Sequence, residues 1–95
     1  SMFKEEVEIL NMKAVICLLN KNLDYCETLL KKSWILDNNN FNTIFNIAYL
    51  KELSGNEKEA IRFYTKIIKS CENKEVILEA KEKLEKLTFK YDEKE

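Results

Sequence analysis

The stretch SGNEKEAIRFYTKII, at residues 54–68, decides the fold because it contains the only glycine of a 95-residue chain that has no proline. Glycine adopts a left-handed backbone conformation without steric cost, and a residue in this conformation commonly ends a helix. Asn56 follows at once, and its side chain can accept a hydrogen bond that starts the next helix. Glu59 is placed to bond back to the Asn56 amide, as in a capping box. The stretch therefore predicts two antiparallel helices joined by a tight turn at Gly55.

The same helical pattern continues on both sides of this hairpin. With one glycine and no proline, little interrupts a helix. Apolar residues recur at intervals of three and four, and they form five successive stripes. Asn22, the Asn-rich residues 38–42 and Asn73 mark three further helix starts, because an Asn side chain satisfies free amides at a helix N-terminus. The sequence therefore predicts an all-α protein of five helices.

Length and composition indicate one small globular domain. The chain is 45% hydrophobic and 35% charged, which is an ordinary globular composition. Sixteen Lys and Arg residues are balanced by seventeen Asp and Glu residues, and the two signs are interspersed, which disfavours nucleic-acid binding. No apolar run approaches the roughly 20 residues that cross a bilayer, and no stretch resembles a signal peptide. We therefore expect no membrane insertion and a cytoplasmic location.

The residue types that build active sites are scarce in this chain. It contains no histidine and no glycine-rich phosphate loop. Cys17, Cys26 and Cys71 lie in apolar patterns without a candidate base, so we interpret them as reduced thiols that pack as small apolar residues. Three scattered cysteines also make a poor zinc site. We therefore predict that the protein is not an enzyme and binds neither a cofactor nor a metal.

A repeat relates the first half of the chain to the second. A shift of 34 residues superimposes Ala14 on Ala48, Cys26 on Ala60 and Leu30 on Tyr64, so that small residues fall on small ones and large on large, and it places the Lys21-Asn22 turn on Gly55-Asn56. Helical hairpins with a period of this size stack side by side, and each buries its apolar face against the next. The sequence therefore predicts stacked helical hairpins.

The second unit, FNIAYLKELSGNEKEAIRFYTKII at residues 45–68, resembles the tetratricopeptide repeat family nearly residue by residue. The residues that match its key positions are Ala48 and Ala60 at the helix crossing, Gly55 at the turn and Tyr64 at the large aromatic site. In the first unit, residues 23–40 are similar to the second helix of such a repeat, with Asn38 where the family usually has proline.

The resemblance implies two stacked antiparallel hairpins in a right-handed superhelix, followed by a capping helix. One domain would then cover residues 1–95, with repeat one at about 7–40, repeat two at about 41–74 and the capping helix at about 75–91. Proteins of this kind usually need three or more repeats to be stable. We therefore expect modest stability, which favours a dimer or an adjoining domain.

The resemblance also implies that the first helices of the repeats line a concave groove, which in this family binds a peptide or helix of another protein. The groove residues that it predicts are Asn11, Val15, Asn42, Asn46, Tyr49, Glu79 and Lys83. Many family members use an Asn at the position of Asn46 to bond the backbone of the ligand. One subgroup grips chaperones with a carboxylate clamp, of which only Asn46 is present. We therefore expect no chaperone clamp, and an apolar or mixed peptide fits better.

The first helix carries more apolar residues than one buried face requires. They are Val7, Ile9, Leu10, Val15, Ile16, Leu18 and Leu19. An upstream repeat, a second copy of the chain or a groove ligand would cover the excess. Alternatively, helix 1 is simply well buried against helices 2 and 3, with helix 4 as a further neighbour.

Two classes of function follow from these patterns. The first is a non-catalytic protein-interaction module that binds a partner peptide or helix in the groove. The alternative is a structural repeat segment that mediates self-association or caps a longer solenoid, or a regulatory appendage of a larger protein. Fold alone does not decide between these functions.

Overall fold

The computed structural model describes residues 2–94, with side chains described for residues 2–89. Within this part the chain consists of five α-helices and contains no strand: α1 (Lys4–Leu19), α2 (Leu23–Leu36), α3 (Phe41–Leu53), α4 (Glu57–Ser70) and α5 (Lys74–Lys94). The all-α prediction is confirmed. Residues 1 and 95, which the predicted domain includes, lie outside the described residues. No helix in the described range is both long enough and apolar enough to span a membrane.

The helices pack as two hairpins, α1 with α2 and α3 with α4, and the hairpins stack against each other. α3 contacts both helices of the first hairpin, and α5 packs on α4 and, less extensively, on α3. The predicted arrangement of stacked hairpins is therefore confirmed. Among the described residues α1 touches neither α4 nor α5, and it leaves several large apolar side chains exposed. The alternative in which α1 is well buried is wrong, because α2 and α3 cover only one of its sides.

The two hairpin turns have the same backbone geometry. In the second turn Gly55 has a φ of 84°, and the next amide donates a hydrogen bond of 2.8 Å to the carbonyl five residues earlier. In the first turn Lys21 has a φ of 59°, and the following amide makes the same bond, also at 2.8 Å. A Cβ added at Gly55 would meet nothing within 4 Å, so it is the backbone angle and not the available space that favours glycine here. Gly55 ends α3 as predicted.

Asparagine side chains cap three of the helices, as the sequence predicts. The caps and their distances to a backbone amide are Asn40 to Thr43 at 3.0 Å, Asn56 to Glu59 at 3.4 Å, and Asn73 to Glu75 at 3.0 Å. Asn22 precedes α2, but its side chain makes no cap hydrogen bond within the described chain. The orphan amides at the starts of α3, α4 and α5 thus gain local acceptors.

The capping box predicted at α4 also required a hydrogen bond from the Asn56 amide to the Glu59 side chain, and this part of the prediction is wrong. The Glu59 carboxylate lies 3.4 Å from the guanidinium of Arg62, one helical turn along. The Asn56 amide that it was predicted to reach already donates to the Lys51 carbonyl at 2.8 Å. The turn geometry therefore satisfies this amide, and no acceptor from Glu59 is needed.

The core lies along the helix crossings, where the repeat places small residues. Ala48 and Ala60 have no exposed surface, and neither do their counterparts Ala14 and Cys26. Residues without bulk are needed here because two helix backbones approach each other closely. Equivalent positions of the two units are therefore buried alike, so the repeat in the sequence is also a repeat in the structure.

Burial in the core favours the neutral forms of two titratable groups, Tyr64 and Cys26. The Tyr64 hydroxyl donates a hydrogen bond of 2.9 Å to the Glu52 carboxylate. Burial, followed by this bond, raises the pKa of Tyr64 well above its ordinary value. Burial and, to a smaller extent, the nearby Cys17 raise the pKa of Cys26 to about 11. All three cysteines are buried free thiols, as predicted.

Candidate partner-binding groove

A groove of about 650 Å³ lies between α1, α3 and α5. All seven residues predicted for the groove line it: Asn11 and Val15 from α1, Asn42, Asn46 and Tyr49 from α3, and Glu79 and Lys83 from α5. They come from both repeats and from the last helix. The stacking of the hairpins therefore brings residues that are far apart in the sequence onto one surface.

The groove also contains residues that the sequence analysis did not assign to it. They are Glu8, Met12, Leu18, Leu19, Asn40, Phe45 and Val76. Several lie three or four residues from a predicted member, which is the spacing that places side chains on one helix face. Met12 and Leu19 flank Val15 in this way, and Phe45 lies one turn before Tyr49. Extending the predicted faces by one helical turn would have found these residues.

A chain of hydrogen bonds starts at the floor of the groove, where Asn46 and Asn11 lie, and connects three helices. The Asn46 amide nitrogen on α3 donates to the side-chain oxygen of Asn11 on α1 at 3.0 Å. Asn11 in turn donates to the Thr43 hydroxyl at 2.8 Å, and that hydroxyl lies 2.8 Å from the Ser33 hydroxyl on α2. All four side chains are buried. Because an unpaired buried polar group is costly, these bonds favour one alignment of the three helices.

Asn46 takes part in this floor and is only 7% exposed. The resemblance implied that its amide would bond the backbone of a ligand, but one of its N–H groups already donates to Asn11. Its side-chain oxygen accepts no hydrogen bond within the part of the chain that the structure describes, and Asn46 lines the groove. This oxygen and the second N–H of the amide are therefore the groups of Asn46 that are left for a ligand. Replacing Asn46 would disturb the packing of α1 on α3 as well as any bound segment.

Two aromatic side chains, Phe45 and Tyr49, lie on the α3 side of the groove. The Lys83 ammonium lies 4.1 Å from the centre of the Tyr49 ring, a cation–π contact that connects α5 to α3. The Phe45 ring packs edge to face against the buried Tyr64 ring, with their centres 5.4 Å apart. Both groove rings are therefore held in place by their neighbours. The groove offers largely apolar walls, with the carboxylates of Glu8 and Glu79 at exposed positions.

Stacked helical hairpins, small residues at the crossings and a groove lined by the first helix of each hairpin define a helical-repeat protein of the tetratricopeptide-like class. The chain belongs to the coatomer epsilon subunit family, whose family model matches residues 1–91. This family has a tetratricopeptide-like fold. The resemblance to tetratricopeptide repeats is therefore confirmed for the fold, although the family itself is not named for that repeat. No curated protein and no solved structure gives a significant match.

Proposed function

We propose that this chain is a non-catalytic protein-interaction module of a cytoplasmic coat complex, and that its groove binds a segment of a partner protein. The observation that carries the proposal is the convergence of all seven predicted residues on one groove. Membership of a coatomer subunit family supports the first part, because a subunit functions by holding other proteins in an assembly. The shape and chemistry of the groove support the second part.

The groove favours a segment with apolar side chains. Met12, Val15 and Leu19 offer exposed apolar surface along α1, and Phe45 and Val76 line the groove from α3 and α5. Covering such surface contributes roughly 25 cal/mol per Å². The few polar groups, among them the free oxygen of Asn46, would orient the bound segment.

A charged C-terminal carboxylate is a poor fit to the same groove. Asn46, the one residue of a chaperone clamp that the chain has, is bonded to Asn11. The Lys83 ammonium lies over the Tyr49 ring, and this cation–π contact already uses part of its positive charge. The groove therefore lacks a cluster of cations among its described residues, and we propose an apolar or mixed segment as its ligand.

The test is a calorimetric titration of the other coatomer subunits, each purified separately, into this chain and two variants. Glu79→Trp places a large ring in the groove from α5, and we expect it to weaken binding at least tenfold. Glu82→Trp is the matched control, because Glu82 is exposed on the same helix and does not line the groove. Equal affinity of both variants would refute the groove as the binding site. Absence of binding to every subunit would refute the proposed role in the coat.

A second candidate function is structural, with self-association in place of ligand binding. The observation that favours it is a row of exposed apolar residues on α1. A ligand in the groove would cover only part of this row, because Met12 and Leu19 line the groove whereas Ile9 and Ile16 do not.

A further inference from the structure

The side of α4 that faces solvent is basic. Four charged residues of this helix are exposed, and all four are cations: Lys58, Arg62, Lys66 and Lys69. They follow one another at intervals of four, four and three residues, so they form one stripe along the helix, opposite its buried residues. The two acidic residues of α4 are half-buried, and one of them, Glu59, pairs with Arg62 at 3.4 Å. The three lysines of this basic stripe form no ion pair among the described residues.

Packing of the repeats does not require the basic stripe. A shift of 34 residues places its members on four positions of α2 that carry only one cation: Asp24, Thr28, Lys32 and Ile35. These α2 residues are exposed as well. Both helices therefore turn the same face to solvent, but only α4 makes that face basic. The stripe is a property of the second repeat and not of the fold.

A pocket of about 540 Å³ lies between α2, α3 and the start of α4. Its apolar lining consists of Leu30, Trp34, Ile35, Ile47 and Leu50. The pocket residues on α3 are Ile47, Leu50 and Lys51, whereas the groove residues on α3 are Asn42, Phe45, Asn46 and Tyr49. The centres of these two sets are about 140° apart around the helix at 3.6 residues per turn. The pocket is therefore a second cavity, on the side of α3 that faces away from the groove.

The charges that line the pocket are mostly positive. Lys31 and Lys51 line it together with one acidic residue, Glu27. Lys31 lies 3.0 Å from the Glu27 carboxylate, and its hydrogen bond and charge, with a smaller effect from Lys51, lower the pKa of Glu27. Lys31 thus already neutralises Glu27, while Lys51 forms no ion pair among the described residues. Lys51 therefore leaves an uncompensated positive charge at the pocket.

Trp34 connects the pocket to the basic stripe. Its ring lines the pocket and is half-buried. The Lys66 ammonium lies 5.7 Å from the centre of this ring, and the Phe63 ring packs against it edge to face with their centres 6.5 Å apart. The Arg62 guanidinium in turn lies 5.7 Å from the centre of the Phe63 ring. The stripe therefore passes the Trp34 end of the pocket, and Lys66 is its nearest member.

We infer that the pocket and the basic stripe together bind an acidic segment of a partner protein. One large apolar side chain of the segment enters the pocket and packs on Trp34, and neighbouring carboxylates meet Lys51 and the cations of the stripe. The stripe is about 17 Å long, which matches about five residues of an extended segment. Because this site and the groove lie on different sides of α3, the inference does not depend on the groove ligand.

The same observations favour a protein segment over a lipid surface. Most of the apolar lining of the pocket is buried or half-buried, so a single side chain can reach it and a flat bilayer cannot. In α4, which the structure describes in full, no large apolar side chain is exposed beside the stripe to insert into a bilayer. A bilayer would therefore use only the charges, whereas an acidic segment with an apolar side chain uses both features.

The test uses the fluorescence of Trp34, which is the single tryptophan of the chain and lines the pocket. The probes are three short peptides of glutamate with one central phenylalanine, leucine or isoleucine. We expect these peptides to change the Trp34 emission until it saturates. Replacement of the glutamates by glutamine should weaken binding about tenfold, because the charges are lost. Alanine at the centre should also weaken it about tenfold, because the pocket is left unfilled.

Two lysine variants locate the site. Lys51→Gln and Lys66→Gln should each weaken binding of the glutamate peptides about twofold to fivefold, as expected for partly exposed charge pairs, and together about tenfold. Lys13→Gln is the matched control, because it removes the same charge from an exposed position of α1 that does not line the pocket. It should bind like the native chain. Circular dichroism checks that each variant is folded.

Four outcomes would overturn the inference. They are an unchanged Trp34 emission with all three peptides, equal affinity for glutamate and glutamine peptides, equal affinity for the alanine peptide, and equal effects of the Lys51, Lys66 and Lys13 variants. Flotation with phosphatidylserine vesicles examines the lipid alternative. A chain that floats with these vesicles but binds none of the peptides would assign the basic stripe to a membrane surface and also overturn the inference.

Discussion

Lys21 and Gly55 occupy equivalent positions 34 residues apart and adopt the same left-handed backbone conformation, with φ values of 59° and 84°. Each is followed by an amide that closes the last turn of the preceding helix with a 2.8 Å hydrogen bond. The two repeats thus end their first helices in the same way. Only the second repeat uses the residue for which this angle has no steric cost.

Replacement of Lys21 by glycine should stabilise the protein. The left-handed conformation costs a non-glycine residue roughly 1–2 kcal/mol, and the greater freedom of glycine in the unfolded chain offsets part of the gain. We expect the free energy of unfolding to rise by up to about 1 kcal/mol in urea titrations. Asn20→Gly is the control, because Asn20 has a φ of −86° and glycine there only adds freedom to the unfolded chain. A Lys21→Gly variant less stable than the native chain would contradict this account.

Removal of the Thr43 hydroxyl should destabilise the stacking of the hairpins. Thr43 is fully buried and lies within hydrogen-bond distance of both Asn11 and Ser33. Thr43→Val leaves these two groups short of a partner, and we expect a loss of about 1–3 kcal/mol in the free energy of unfolding. Thr65→Val is the control, because the Thr65 hydroxyl bonds only the Ile61 carbonyl of its own helix. Equal losses in the two variants would show that the buried network has no special role.

A large residue at the crossing of α3 and α4 should unfold the chain. Ala60 has no exposed surface, and overpacking of such a site commonly costs about 1–3 kcal/mol. Because two repeats leave little stability in reserve, we expect Ala60→Trp to lose its cooperative thermal transition in circular dichroism. Lys58→Trp, at an exposed position of the same helix, should melt like the native chain. A cooperative melt of Ala60→Trp near the native temperature would mean that the crossing is less tightly packed than the structure shows.

Stability should fall at alkaline pH because of Cys26. Its pKa is raised from 9.0 to about 11 in the folded protein, so the unfolded chain releases the thiol proton at a lower pH than the folded chain does. The free energy of unfolding should be unaffected by this group below pH 9 and decrease as the pH rises from 9 to 11. The raised pKa of Tyr64 acts in the same direction at higher pH. Urea titrations over this pH range measure the effect.

Cys26→Ala separates the contribution of Cys26 from that of Tyr64. Alanine suits the site, because Ala60 occupies the equivalent position of the second repeat. We expect the variant to lose less stability than the native chain between pH 9 and 11. Identical pH profiles would show that the Cys26 thiol does not contribute.

The features that the sequence predicted correctly depend on residues that are close to one another along the chain. The turn at Gly55 and the cap at Asn56 follow from the conformational preferences of single residues. The helical period and the repeat follow from regular spacing. The family resemblance implied the groove residues, and the fold places them on one surface, while their binding of a partner stays a prediction. The sequence did not decide the partner of the Glu59 carboxylate, because Asn56 and Arg62 are each three residues away from it. The structure pairs it with Arg62.

By itself the sequence determined five helices, the Asn caps of three of them, the turns and the faces that the repeats use for packing. Only the tertiary structure decided which groups are paired across the fold. Asn11 and Asn46 are 35 residues apart, and their bond forms because the two hairpins stack at one alignment. The exposure of several apolar side chains of α1 was likewise undecided, because apolar residues all around a helix suit a buried helix and an unpaired surface equally. Which side of α1 meets solvent depends on the distant helices that reach it, and here only α2 and α3 do.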